Sequence, residues 1–245
     1  MTLQYEDRIV AYADVIGWKA ACEDPERYSD LLEATQAIAQ YAHNFSPEVK
    51  GRVEKLSGVP MDSIEEHASF EFSFFSDNLA VSVPLRYADR LFKLLSFASH
   101  SLLQANFLIR GGVASGKLHH RHNILFGPAL IEAVDLERKA DYPRLLCSRG
   151  LLEFLATTSY KDNVVIRDRE QAWIVNVACG GPEALGDLDR VLERGLGTLR
   201  LKEAEAASRK RAYLREMLPA MFLAKGVNLE RLPKNFREAP HDATI

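Results

Sequence analysis

The run Arg8-Ile9-Val10-Ala11-Tyr12-Ala13-Asp14 is apolar and strand-like and ends on an aspartate, and Val15-Ile16-Gly17-Trp18 follows it. A second run, from Phe70 to Ser76, alternates phenylalanine with polar residues at the two-residue period of a half-buried strand and leads to Asp77. If the two strands are neighbours, their carboxylates can converge on hard divalent cations, which prefer oxygen ligands and bind phosphates. The pair therefore indicates phosphoryl or nucleotidyl transfer with two metal ions.

Each aspartate taken alone has a simpler interpretation. Asp14 can cap the turn after its strand, and Asp77 can be a hairpin residue, because Asp and Asn favour tight turns. Two aspartates that follow in a strand, helix and hairpin order are harder to explain as mere turn residues.

Around these runs the sequence predicts strand, helix, hairpin, helix, hairpin and helix in that order. The order is typical of an α+β sandwich with a mostly antiparallel sheet and helices on one face. The predicted strands are 8–15, 70–76, 79–83, 107–115, 124–126, 144–148, 163–167 and 172–177. The predicted helices are about 25–45, one that begins at Pro84, about 128–140, 149–156 and about 182–225.

The long C-terminal helix sets the expected domain organisation. A domain at 1–181 is followed by a helical extension at 182–225 and a loose tail at 226–245. The basic run from Ser208 to Arg215 is interleaved with glutamates nearby, so it predicts a solvated helix face rather than a nucleic-acid site.

The composition is that of a globular protein. Of 245 residues, 47% are hydrophobic and 27% charged, and the net charge of −3 gives no basis for binding a nucleic-acid polymer or a membrane surface. The sequence shows no signal-peptide pattern and no apolar stretch of about 20 residues. Cys22, Cys147 and Cys179 lack Cys-x-x-Cys spacing and indicate reduced thiols. We therefore expect a cytoplasmic protein.

Four segments resemble, in order, motifs of the class III nucleotidyl cyclases, over roughly residues 8–150. They are Tyr12 to Trp18, the Ser76-Asp77 hairpin, Arg110-Gly111-Gly112-Val113-Ala114-Ser115-Gly116, and Leu125-Phe126-Gly127 with a following helix that ends at Leu136-Glu137. The resemblance implies a ferredoxin-like cyclase sandwich that acts as a homodimer with its site at the interface. It also implies two divalent cations, Mn²⁺ or Mg²⁺, held by Asp14, Asp77 and the carbonyl of Val15, and phosphates cradled by the amides of Ile16, Gly17 and Trp18.

The departures from the family concern the base. Ser73 stands where the family has a purine-reading Lys, Ile124 where it has a purine-reading Asp, and Ile131 and Asp135 where it has a transition-state Asn and Arg. One interpretation is an inactive cyclase-like module that binds a nucleotide or a protein. The other is a live enzyme with a different base, bound in part by Ser73.

The live enzyme resembles the pyrimidine cyclases of the bacterial Pycsar antiphage systems, which make cyclic UMP or cyclic CMP for a cyclic-nucleotide-responsive effector. We favour it, because an inactive domain has no need of both metal aspartates, and a smaller base requires a rebuilt pocket. UTP is the preferred substrate, with CTP the alternative. A diguanylate-cyclase-like relative is disfavoured, because the Gly-Gly-Asp/Glu-Glu-Phe signature is missing.

A cation must still stabilise the charge on the phosphates. Arg110 has the best position, although an ordinary ion pair is an equal alternative; the other candidates are Lys117, Arg138, Lys139 and Arg144. The loop histidines His119, His120 and His122 could bind a soft metal or a phosphate, but a polar hairpin tip is the preferred account. Asn123 is read as a turn residue, and Trp18 and Phe126 as core rather than base-stacking aromatics.

Overall fold

The computed structural model of the chain describes residues 5–43, 70–121, 124–158, 164–178 and 205–224. The strands in these ranges are β1 (Glu6–Ile16), β2 (Glu71–Phe75), β3 (Asn78–Pro84), β4 (Leu108–Arg121), β5 (Ile124–Phe126), β6 (Leu145–Cys147), β7 (Val165–Arg167) and β8 (Trp173–Val175). The helices are α1 (Trp18–Cys22), α2 (Pro25–His43), α3 (Ala88–Gln104), α4 (Pro128–Lys139), α5 (Arg149–Ala156) and α6 (Glu205–Leu223), with a 3-10 turn at Leu85–Tyr87. The predicted helical residues 182–204 lie outside the described part of the chain.

The strands form one sheet in the order β2-β3-β1-β4-β6-β8-β7, and β5 pairs with the end of β4. Neighbouring strands are antiparallel except β4 and β6, which are parallel. The predicted α+β fold with a mostly antiparallel sheet is therefore confirmed.

Helices cover both faces of this sheet. Ile9, Ala11 and other odd-numbered residues of β1 pack in a core with α2, α3 and α5. This is the one helical face that the sequence predicted; the helices on the other face were not predicted. The even-numbered Val10 packs on the opposite face against α4, and α6 covers Leu146 and Ile174 on that same face. The second helical layer forms because β1 is apolar on both sides from Ile9 to Ala11.

Helix α4 lies directly on β4, and Gly112 makes this approach possible. A Cβ atom at Gly112 would lie 2.2 Å from the carbonyl oxygen of Ala133. No side chain fits into such a gap. The close contact brings the C-terminal end of α4, with Glu137, beside Arg110 on β4.

Helix α6 is docked through a buried polar contact rather than solvated along its whole length. Tyr213 stacks on Tyr142, with ring centroids 4.7 Å apart, and its hydroxyl donates to Asp168 Oδ2 at 3.1 Å. Arg144 forms an ion pair with the same carboxylate and a second one with Glu170 at 2.8 Å. The prediction of a solvated face at 208–215 is therefore wrong for Tyr213 and for its neighbour Leu214, which are buried.

Asp168→Ala tests this docking contact. The Arg144 side chain is 5% exposed and that of Asp168 is fully buried, so the substitution leaves the Tyr213 phenol without its acceptor and the guanidinium with only the half-exposed Glu170. We expect a loss of about 3 kcal/mol or more in the free energy of unfolding, measured by urea denaturation. Glu153→Ala, which breaks an exposed ion pair with Arg149, is the control and should cost no more than about 0.5 kcal/mol. Equal losses in the two variants would contradict the buried contact.

Two compositional expectations can be compared with the structure. None of the helices in the described ranges is long and apolar enough to cross a membrane. Cys22 and Cys147 are free thiols, and burial raises the pKa of the Cys147 thiol. Cys179 lies outside the described residues.

Candidate functional site

The register of β1 brings the two aspartates together. Asp14 lies opposite Asn78 of β3 on one side and opposite Arg110 of β4 on the other. Past the end of the β1–β3 ladder, the amide of Val15 donates to the main-chain carbonyl oxygen of Asp77 at 2.7 Å. The turn between β2 and β3 is thereby held against the end of β1.

Both aspartates line one cleft of about 450 Å³. Seven residues singled out in the sequence meet there, namely Asp14, Val15, Ile16, Gly17, Trp18, Asp77 and Arg110. Three further residues complete the lining: Lys19, Glu23 and Lys210. Sequence reasoning missed these three. Lys19 directly follows the first motif, whereas Lys210 is separated from it by most of the chain.

The turn at Gly17 leads β1 into the cleft wall. Gly17 has φ 98° and ψ −1°, a left-handed conformation that favours glycine. Helix α1 begins at the next residue, Trp18. The structure thus places Gly17 and Trp18 at the start of a helix, whereas Ile16 is the last residue of β1. The role of the three amides towards phosphates stays a prediction.

Arg110 bridges two carboxylates at the cleft. Its Nε donates to Asp14 Oδ2 at 2.9 Å, and its Nη2 lies 3.2 Å from Glu137 Oε1. Burial raises the pKa of Glu137, as do Asp14 and Asp77, while Arg110 opposes the rise. The ion pair considered from the sequence is therefore present, and the guanidinium still lines the cleft. Glu137 had been noted only as a helix end.

The donor set fits a divalent cation that arrives with phosphates. Asp77 Oδ1 accepts from Asn78 Nδ2 at 2.8 Å and Asp14 Oδ2 accepts from Arg110, so each carboxylate keeps a second oxygen for a metal. Within the described ranges, no group of three or more His, Cys, Asp or Glu side chains could hold a metal ion alone. Mg²⁺-type sites of this kind use one or two carboxylates and take their remaining ligands from water and substrate phosphates.

The other predicted cations lie away from the cleft. Arg144 is wrong as a candidate, because it is committed to the buried pair with Asp168. Lys117 pairs with Asp7 at 2.8 Å on the surface, and Arg138 lies 3.7 Å from Asp135. The remaining positions noted in the sequence are also exposed and outside the cleft lining: Lys139, Ile124 and Ile131.

His120 is buried, so the predicted polar hairpin tip is wrong for this residue. It belongs to β4, is 2% exposed, and lies with Nδ1 2.9 Å from Ser82 Oγ and Nε2 3.2 Å from Ser73 Oγ. Arg8 Nε donates to Ser82 Oγ at 3.0 Å. His120 is buried because β4 continues past the end of its ladder with β1, which stops at Leu118. The last residues of β4 then lie over the sheet face and contact β3 and β2. Both ring nitrogens are occupied, so the metal alternative has no ligand atom here.

The other histidines and aromatic residues noted in the sequence do not share one environment. His119 stacks on Phe126 with centroids 4.9 Å apart, and Phe126 is 37% exposed, so it is not simply core. Trp18 contacts Phe74, with ring centroids 5.4 Å apart, and packs on the core beneath α2 and α3. His122 and Asn123 lie outside the described residues.

Comparison with known proteins finds solved structures whose fold is similar to that of part of this chain, at low sequence identity. No protein-family model and no curated protein matches the chain. The monomeric guanylyl cyclase domain of the RhoGC fusion protein from the aquatic fungus Blastocladiella emersonii is 13% identical, and the match covers 70% of this chain and 95% of that one at a TM-score of 0.46. A bacterial light-regulated adenylyl cyclase is 14% identical over 77% and 100% at 0.43. The adenylyl cyclase CyaB from P. aeruginosa is 12% identical over 70% and 94% at 0.43.

His120 predicts a pH dependence of stability. Burial, and after it the positive charge of Arg8 and the neighbouring His119, lower its pKa from 6.5 to about 4. The folded protein then binds this proton less readily than the unfolded chain, so the contribution is fully present above pH 6.5 and is lost as pH falls through 4. The full loss is on the order of 3 kcal/mol.

The test compares His120→Gln with the unmodified protein by urea denaturation between pH 6.5 and pH 4. The variant should lose less stability over this interval, because its side chain does not titrate. Ser29→Ala, an exposed substitution that removes no ionisable group, serves as the control and should follow the unmodified protein. Parallel curves for all three proteins would show that His120 does not titrate in this way.

Proposed function

We propose that this chain is a metal-dependent nucleotidyl cyclase that converts UTP into 3′,5′-cyclic UMP and pyrophosphate. The observation that carries the proposal is the cleft itself, in which Asp14 at the end of β1 and Asp77 in the turn between β2 and β3 lie with the start of α1 and with Lys19, Arg110 and Lys210. Paired carboxylates of this type hold divalent cations in enzymes of phosphoryl transfer. Asp14, Asp77 and the Val15 carbonyl are the proposed ligands.

The residues of the cleft have distinct tasks in this reaction. Asp14 and Asp77 hold the cations, which when bound lower the pKa of the ribose 3′-hydroxyl and neutralise charge on the leaving group. The amides at 16–18 bind phosphate oxygens at the start of α1. The 3′-hydroxyl gives its proton to water, and its oxygen forms a bond to the α-phosphorus in line as the bond from that phosphorus to the bridging oxygen breaks and pyrophosphate leaves. Arg110, held by Asp14 and Glu137, faces the charge that develops.

Ser73 is proposed to bind the base. It lies opposite Ala80 on β3, which lies opposite Tyr12 on β1, two residues before Asp14. Strand spacing and rise place Ser73 and Asp14 about 12 Å apart on one face of the sheet. This separation matches the extent of a nucleotide from its base edge to its terminal phosphates.

The hydrogen bonds behind Ser73 favour uracil over cytosine. The Ser82 hydroxyl is fully buried and accepts from Arg8, which has no acceptor to offer, so its proton goes to His120 Nδ1. The neutral imidazole then carries its proton on Nε2 and donates to Ser73. The Ser73 hydroxyl is left to donate outward. Uracil presents a carbonyl oxygen where cytosine presents an amino group, so a donor at this place selects UTP.

The first test incubates the protein with each of the four ribonucleoside triphosphates and Mn²⁺ and identifies products by mass spectrometry. Cyclic UMP should form, and Asp77→Asn should lower its rate more than about 100-fold because the ligand charge is lost. Asp30→Asn, exposed on α2 and outside the cleft lining, is the matched control. A purine product would contradict the interpretation of Ser73 and Ile124. The absence of any product would favour the alternative, an inactive cyclase-like module.

Ser73→Ala tests the base contact separately. Removing the outward donor should lower the ratio of kcat/KM for UTP over CTP about 10-fold or more. Ser29→Ala, on the exposed side of α2, is the control and should leave the ratio unchanged. An unchanged ratio in Ser73→Ala would exclude this serine as the group that distinguishes the bases.

Assembly and biological role are part of the same proposal. Large apolar side chains are exposed at Phe75, which is 81% accessible, and at Ile131, which is 64% accessible. The homodimer is proposed from the resemblance to the class III cyclases, and these two side chains are positions at which a partner subunit could cover apolar surface. By resemblance to the Pycsar cyclases, cyclic UMP would be a cytoplasmic messenger that activates a cyclic-nucleotide-responsive effector in antiphage signalling.

A further inference from the structure

One wall of the cleft comes from outside the segments that resemble the cyclases. Lys210, on helix α6, lines the cleft together with Asp14, Asp77 and Arg110. The sequence places it in a basic run that predicted a solvated surface. The structure instead leaves Lys210 only partly exposed, while Arg209 beside it is exposed.

The helical register explains why Lys210 reaches this position. Counting forward from Lys210 by three, four, seven, eight and eleven residues gives the buried positions Tyr213, Leu214, Met217, Leu218 and Met221. Residues at these intervals share one face of a helix. Lys210 therefore continues the packing face of α6 by one turn, to the point where this face passes the apolar core and meets the cleft.

Two contacts hold α6 in this position. The Tyr213 hydroxyl donates to buried Asp168, and Arg169 pairs with Glu216 at 3.0 Å. Both contacts lie within two turns of Lys210. The base of its side chain is therefore placed by packing, and only its flexible end is free to follow a ligand.

The charges of the cleft leave Lys210 available for an anion. Arg110 is already committed to Asp14 and Glu137. In the described part of the chain, Lys210 forms no ion pair, even with Glu23, which lines the same cleft. Lys19, the third cation of the lining, is exposed. An ammonium group in the same cleft as two carboxylates that could hold metal ions has the charge that a polyphosphate requires.

We propose that Lys210 binds the polyphosphate of the substrate, so that helix α6 completes the active site. The identity of the ligand as a nucleoside triphosphate rests on the proposed function. The ammonium contacts non-bridging oxygens of the phosphates that leave as pyrophosphate and holds their charge as the bond to the α-phosphorus breaks. In this way the C-terminal helix supplies a cation that the usual helix positions, Ile131 and Asp135, lack.

The test uses the full chain with Lys210→Met, which keeps the length of the side chain and removes its charge, and with Lys210→Arg, which keeps the charge. Arg209→Met is the matched control from the same basic run. Binding of inorganic triphosphate in the presence of Mn²⁺ is measured by calorimetry, and turnover of UTP is measured in parallel. Circular dichroism and urea denaturation establish that α6 remains folded and docked.

Lys210→Met should weaken triphosphate binding and lower kcat/KM for UTP, each roughly 10- to 100-fold. Lys210→Arg should recover part of both, and Arg209→Met should change neither. Unchanged binding and turnover in Lys210→Met would overturn the inference while leaving the cyclase proposal intact. Lys210-dependent triphosphate binding without cyclic product would contradict the cyclase proposal and support the phosphate site. A chain that neither binds triphosphate nor forms product would overturn both.

Discussion

The pairing register of β1 is the constraint on which the rest of the site depends. With β3 on one side and β4 on the other, Asp14 faces both Asn78 and Arg110, and the amide of Val15 reaches the carbonyl of Asp77. A shift of one residue would turn Asp14 to the opposite face, into the apolar core beneath α2 and α3. Because that core specifies the register through Ile9, Ala11 and Ala13, apolar packing on one face determines the position of a carboxylate on the other.

Buried polar contacts add a second level of order. Two sets lie far from each other: His120 between Ser73 and Ser82, and Asp168 between Arg144 and Tyr213. Each joins segments that are distant in sequence, and each leaves a costly unpaired group if one partner is removed. Such contacts favour one arrangement over its alternatives. One orients a hydroxyl towards the proposed base, and the other holds a helix so that a lysine meets the cleft.

The strands and helices of the described residues followed from local patterns. The strand predicted at 8–15, the helix at about 25–45 and the buried leucines after Pro84 are found with small shifts at their ends. The two aspartates and the glycine turn were also recognisable, since residues at strand ends and tight turns carry local signals. Lys210, Glu137 and the burial of His120 carried no such signal. Each depends on contacts between segments more than 25 residues apart.

The amino-acid sequence was therefore sufficient for the α+β fold, the order of its elements and the two aspartates as a pair, one at the end of a strand and one in a hairpin turn. These features depend on periodicity and turn chemistry, which act between near neighbours in the chain. The partners of the carboxylates, the distribution of helices over both faces and the identity of the cations in the cleft were settled by the packed structure. Arg144 lies outside the cleft because it is paired with buried Asp168. Lys210 lies in the cleft because the packing face of α6 places it there. Both outcomes depend on distances in space that sequence spacing does not encode.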